Sequence, residues 1–146
     1  MTAFAHVDDR PVVLLAVLKD IHNLGVLVLK HALERAGLRV VNAGAMLEQE
    51  EIVAAAIETG ARAILVSSSY GMAALDAEGF RGRCEEAGLG KVLLYIGGNL
   101  SVTRQRRRWE EIEAEFIRLG FDRAYPQDVV PDAVAADLKR DLRLGT

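Results

Sequence analysis

Five short apolar runs alternate along this chain with stretches of helical spacing, and every helical stretch but the last closes on a glycine. The strand candidates are residues 12–18, 39–42, 63–67, 92–96 and the short 123–125. Apolar spacing predicts helices over 24–36, 48–59, 75–87, 109–119 and 131–142. The first of these carries Leu24, Leu27, Val28 and Leu33 at helical spacing, and the second carries Ile52, Val53, Ala56 and Ile57. Gly37, Gly60, Gly88 and Gly120 follow the first four, and Pro131 suits the first turn of the last. Continuous rather than alternating apolar strands require a sheet covered on both faces. Strand–helix alternation makes that sheet parallel, with right-handed crossovers. The expected architecture is therefore α/β: a flavodoxin-like or Rossmann-like doubly wound sheet of five parallel strands, order 2-1-3-4-5, with helices on both faces. With 146 residues and no repeats, low-complexity tracts or linkers, residues 1–146 read as one domain with a core over 12–142.

That architecture says where to look for function. Open α/β sheets bind ligands outside the carboxyl ends of their strands, near the switch point between strands 1 and 3. The unusual residues of this chain fall at those ends. Asp20, His22 and Gly25 follow strand 1, and Ser67-Ser68-Ser69-Tyr70-Gly71 closes strand 3. Gly97-Gly98-Asn99 follows strand 4, and Tyr125-Pro126 follows strand 5. Composition excludes other classes. A net charge of −3 gives no reason to expect nucleic acid as a partner. No apolar run approaches the roughly 20 residues of a membrane span. Residues 1–10 hold two aspartates and no apolar core, so they do not read as a secretory signal. A single cysteine, Cys84, allows no intrachain disulfide and suits a reducing cytoplasm. The dense basic run, Arg104 to Arg108, reads as a solvated helix start whose charge the following glutamates nearly cancel, with a docking patch for an acidic partner as the alternative. His31, beside Lys30 on the first helix, reads as a surface residue.

The stretch Asp20-Ile21-His22-Asn23-Leu24-Gly25 has a chemistry of its own. A carboxylate two residues before a histidine shares its side when the backbone between them is extended. It can then accept a hydrogen bond from one ring nitrogen and leave the other oriented as a metal ligand. Gly25 permits a close backbone approach where the chain enters the helix. Ser67, Ser69, Gly97 and Gly98 supply small residues and hydroxyls at the neighbouring strand ends.

The spacing Asp-x-His-x-x-Gly resembles the signature of cobalamin-binding domains, and the likeness extends further. From Val12 to Leu142 the chain resembles the small cobalamin-binding subunit of glutamate mutase (methylaspartate mutase). The residues that carry this are Asp20 to Gly25, Ala36 to Gly44, Gln49-Glu50, Ala54 to Thr59, Val66 to Gly71, Cys84 to Leu89, Gly97 to Asn99 and Leu119 to Pro126. The resemblance implies adenosylcobalamin as cofactor, held between this chain and a larger barrel subunit that binds glutamate. It also implies a radical rearrangement of L-glutamate to 3-methylaspartate, with no catalytic residue and no activity in this chain alone. It assigns His22 as the lower cobalt ligand and Asp20 as its hydrogen-bond partner. Ser67, Gly97 and Gly98 then line a slot for the benzimidazole tail, with Tyr125 and Pro126 near its mouth, and Ser69, Tyr70 and Asn99 complete the cofactor-binding set. The chain departs from the family in Ser69, where the pattern reads leucine, in Lys19, where serine is frequent, and in Gln127-Asp128-Val129 after Pro126.

Two other functions compete. A corrinoid carrier for methyl transfer, or the cobalamin subunit of another carbon-skeleton mutase, uses the same Asp-x-His-x-x-Gly chemistry. Carriers bear an N-terminal helical bundle over the cofactor, whereas few residues precede strand 1 here, which favours the mutase. A phosphoacceptor receiver needs an acidic cluster where this chain has serines, and a flavin domain needs a phosphate loop where it has His22.

Overall fold

The computed structural model describes residues 8–20, 24–69, 71–100 and 107–144. Its strands are β1 (Val12–Val17), β2 (Arg39–Asn42), β3 (Ala63–Ser67), β4 (Leu93–Gly97) and β5 (Arg123–Tyr125). They form one parallel sheet in the order β2-β1-β3-β4-β5, as the alternation predicts. The helices are α1 (Leu24–Arg35), α2 (Gln49–Thr59), α3 (Ala73–Asp76), α4 (Phe80–Glu86), α5 (Trp109–Arg118) and α6 (Pro131–Asp141).

Strand side chains alternate between two apolar layers. Leu14, Ala16, Ile64, Val66, Leu94 and Ile96 pack under α2, α4 and α5, where Phe80, Phe116 and Phe121 meet ring to ring at 6.2–6.4 Å. Val13, Leu15, Val17, Leu65 and Tyr95 face α1 and α6, against Val26, Leu33, Val134, Ala135 and Leu138. Each fully buried aliphatic side chain contributes about 1.5–3 kcal/mol, so both helices on this second face are held chiefly by apolar burial.

Three expectations need correction. The helix expected over 75–87 is two helices. Gly79 sits at φ +80, in the left-handed region, and splits the apolar run there. Two carbonyls at this break are satisfied from α2, because the Gln49 side-chain amide donates to Asp76 O at 2.7 Å and Glu78 O at 2.9 Å. On α1 the buried face is Val26, Ala32 and Leu33, while Leu27 and Val28 are half exposed. On α2, Ile57 is exposed although Ile52, Val53 and Ala56 are buried. In both helices helical spacing alone draws the apolar stripe wider than the face that tertiary contacts bury. Shifts at strand ends are smaller: β4 runs Leu93–Gly97, and Leu18 joins Leu47 in an isolated bridge beyond β1. Among the described residues no helix is long and apolar enough to cross a membrane.

Candidate functional site

Parallel register brings the strand ends into line. Val17 pairs with Ser67, Ser67 with Gly97, and Gly97 with Tyr125, so residues far apart in sequence form one row at the carboxyl edge. Two residues deeper lies a second row, Leu15, Leu65 and Tyr95. Above both rows, between α1 and α6, opens a cavity of about 850 Å³, within the range of small-molecule sites. Gly25, Val26, Val28 and Leu29 line it from α1, and Val129, Pro131 and Val134 from α6 and its approach. The deep row is apolar apart from the Tyr95 hydroxyl, and the edge row brings in the Ser67 hydroxyl. Ser69 also lines the cavity, whereas Ser68 between them is fully buried and does not, because successive side chains of extended chain point to opposite sides.

The turn after β1 is built tightly. Leu18 N–H donates to Ser67 O at 3.0 Å, and Lys19 N–H donates to Leu47 O at 2.9 Å. Lys19 sits at φ +50, a conformation costing a non-glycine residue about 1–2 kcal/mol. Its ammonium faces Glu48 at 3.4 Å and Asp76 at 3.9 Å. That turn delivers Asp20 into the interior, 4% exposed, where its Oδ2 accepts the Ser69 N–H at 2.7 Å and its carbonyl accepts the Met46 N–H at 2.8 Å. A buried carboxylate held on a backbone donor is oriented as well as stabilised.

Two glycines beyond the strand ends stand in opposite situations. At Gly98 (φ +119) a Cβ would stand 2.2 Å from Ser68 O and 3.2 Å from Ser69 Oγ, so close backbone packing demands glycine. At Gly25 a Cβ would meet nothing within 4 Å, and the backbone is ordinary helix. Neither conformation nor packing within the described chain explains a helix-weakening residue there; it faces the open cavity.

Behind the cavity, Tyr95 and Tyr125 meet edge-on with centroids 5.7 Å apart. The Tyr95 hydroxyl donates to Asp141 and the Tyr125 hydroxyl to Asp137 Oδ2 at 2.7 Å, both on α6. Arg123 donates twice to Asp141, at 2.7 and 3.0 Å. Burial, then the adjacent carboxylates, push both phenols far above their ordinary range. The Arg123 hydrogen bonds hold the Asp141 carboxyl below its ordinary value.

Of the residues singled out in the sequence, Gly25, Ser67, Ser69, Gly97, Gly98, Tyr125 and Pro126 line this one cavity. Asp20 joins it through Ser69. Asn99 is half buried but outside the cavity wall, the chain having turned at Gly98. His22 and Tyr70 lie outside the described residues. Sequence reasoning missed the α1 and α6 walls and the Tyr95–Asp141 pair. Tyr95 reads as one more core strand residue, and its partner lies 46 positions away.

Comparison with known proteins matches residues 10–124 to the B12 binding domain family. The glutamate mutase sigma subunit of Clostridium cochlearium is 43% identical over 137 residues, covering 94% of this chain and 98% of that one. The sigma subunit of Carboxydothermus hydrogenoformans is 46% identical over 125 residues, covering 86% and 90%. The chain belongs to the glutamate mutase sigma subunit family. It is a B12-binding-domain protein. Among solved structures, a cobalamin-binding protein from Desulfitobacterium hafniense superposes with a TM-score of 0.72 at 18% identity, over 91% of this chain and 60% of that one. The Methanosarcina barkeri monomethylamine corrinoid protein gives 0.67 at 22%, over 90% and 57%. These two share the fold, and the sigma-family chain spans well under two thirds of either.

Proposed function

We propose that residues 1–146 act as one domain that binds adenosylcobalamin, in the cytoplasm, as the cofactor subunit of a glutamate mutase. Its partner in this reading is a larger barrel subunit that binds glutamate, and the pair interconverts L-glutamate and 3-methylaspartate. When bound, the cofactor supplies homolysis of its cobalt–carbon bond, which starts the radical rearrangement. This chain's own residues bind and orient. His22 would be the protein ligand to cobalt, its neutral imidazole offering one ring nitrogen to the metal. Asp20, fixed by the Ser69 N–H, is suited to hold the imidazole in one tautomer. The cavity between α1 and α6 would hold the nucleotide tail. The apolar deep row suits an aromatic base, and the Ser67 and Ser69 hydroxyls suit the oxygens of its sugar and phosphate.

The observation that carries this reading is Gly25: a glycine in a helix, facing a cavity, with no neighbour to accommodate among the described residues. The test is titration with hydroxocobalamin, followed by visible absorption and by electron paramagnetic resonance of the reduced cob(II)alamin. Nitrogen superhyperfine splitting that changes when histidine is isotopically labelled, and disappears in His22→Ala, is the expected result. No corrinoid binding, or splitting that survives His22→Ala, overturns the assignment.

A further inference from the structure

The hydrogen bonds between β4, β5 and α6 have a geometry that apolar packing does not require. Asp137 and Asp141 lie four residues apart, on one face of α6. Each accepts a tyrosine hydroxyl from the strand it faces, Tyr125 and Tyr95 respectively. Arg123 sits between them, doubly bonded to Asp141 and 3.6 Å from Asp137. Arg140 lies on the outer side of Asp137 at 3.2 Å. Apolar burial of Val134, Ala135 and Leu138 holds α6 down but is non-directional. Directional bonds at two successive turns fix the position of α6 along its own axis and its rotation about it. Pro131 and Val134, on the same helix, form one wall of the cavity, while the two tyrosine rings form part of its back. Asp137, Asp141 and Arg123 themselves do not line the cavity.

We infer that Arg123, Asp137 and Asp141 are positioning residues for the nucleotide tail, setting the width of the slot through Tyr95, Tyr125 and the placement of α6. This rests on the reading of the cavity as the tail slot. It predicts a selective effect: loosening the network weakens a corrinoid that has the tail and spares one that lacks it.

The test uses the full chain and two probes, hydroxocobalamin and cobinamide, which retains the corrin ring without the nucleotide. Wild type, Asp137→Asn/Asp141→Asn and Tyr95→Phe/Tyr125→Phe are titrated by visible absorption, with thermal melts alongside. The phenylalanine pair keeps both rings packed and removes only the hydroxyls, so it reports even where the asparagine pair folds poorly. Expected is a loss of about tenfold or more in hydroxocobalamin affinity for either pair. Cobinamide affinity should stay within about twofold of wild type. Equal weakening of both probes by the phenylalanine pair, or no weakening of either, overturns the inference and leaves the cofactor reading standing. Wild-type protein that binds neither probe overturns the cofactor reading and the inference with it.

Discussion

Gly25→Ala should move stability and binding in opposite directions. Gly25 is the second residue of α1, its backbone is helical, and an added methyl group meets no atom of the described residues within 4 Å. Replacing glycine by alanine at such a site narrows the unfolded ensemble without strain in the folded one. The gain is about 0.5–1 kcal/mol. For a chain of this size that raises the melting temperature by roughly 1–4 °C. The same methyl group projects into the space that the cofactor is proposed to fill. Overfilling a tight contact costs about 1–3 kcal/mol, or roughly 5- to 150-fold in affinity. Thermal melts of the ligand-free protein, followed by circular dichroism, measure the first effect, and absorption titration with hydroxocobalamin measures the second. A variant that melts higher and binds cobalamin as tightly as wild type would falsify the claim that Gly25 is glycine for the ligand. A variant that melts lower would show that the glycine serves the fold instead.

Gly98→Ala is the opposite case: the new Cβ would overlap Ser68 O at 2.2 Å in a backbone conformation alanine does not adopt. A loss of at least about 3 kcal/mol is expected, lowering the melting temperature by roughly 6–12 °C, and an unchanged melt would refute the packing argument. Stability should also fall on the alkaline side. Tyr95 and Tyr125 hold their protons in the folded state well above the ordinary phenol value near 10, so the unfolded chain releases them first. Their contribution is complete below about pH 10 and is lost as pH rises beyond it, and urea midpoints should decline there, less steeply in Tyr95→Phe/Tyr125→Phe. Asp141 works in the other direction, its contribution present above about pH 4 and lost on further acidification.

What the sequence determined by itself is the part of this protein written in local and periodic signals. Unbroken apolar strands alternating with amphipathic helices allow little besides a covered parallel sheet, and the observed order β2-β1-β3-β4-β5 follows. Once the strands are placed, the loops at their carboxyl ends are placed too, so Ser67, Gly97 and Tyr125 could be named as neighbours before any register was known. The spacing of Asp20, His22 and Gly25 carried the expected cofactor chemistry in six consecutive residues. Tertiary structure alone decided the rest. A glycine at position 79 splits α3 from α4 because Gln49, across on α2, takes up the freed carbonyls. Val28 is half exposed on the cavity it shares with Pro131 and Val134 at the start of α6, a fact that no window of α1 contains. The contrast between Gly25 and Gly98 is invisible in sequence, since what distinguishes them is the presence or absence of an atom from a distant segment. The Tyr95–Asp141 and Tyr125–Asp137 bonds span 46 and 12 residues, and hydrogen bonds of that kind leave no periodicity to read, because they exist only after packing has brought their donors and acceptors within about 3 Å.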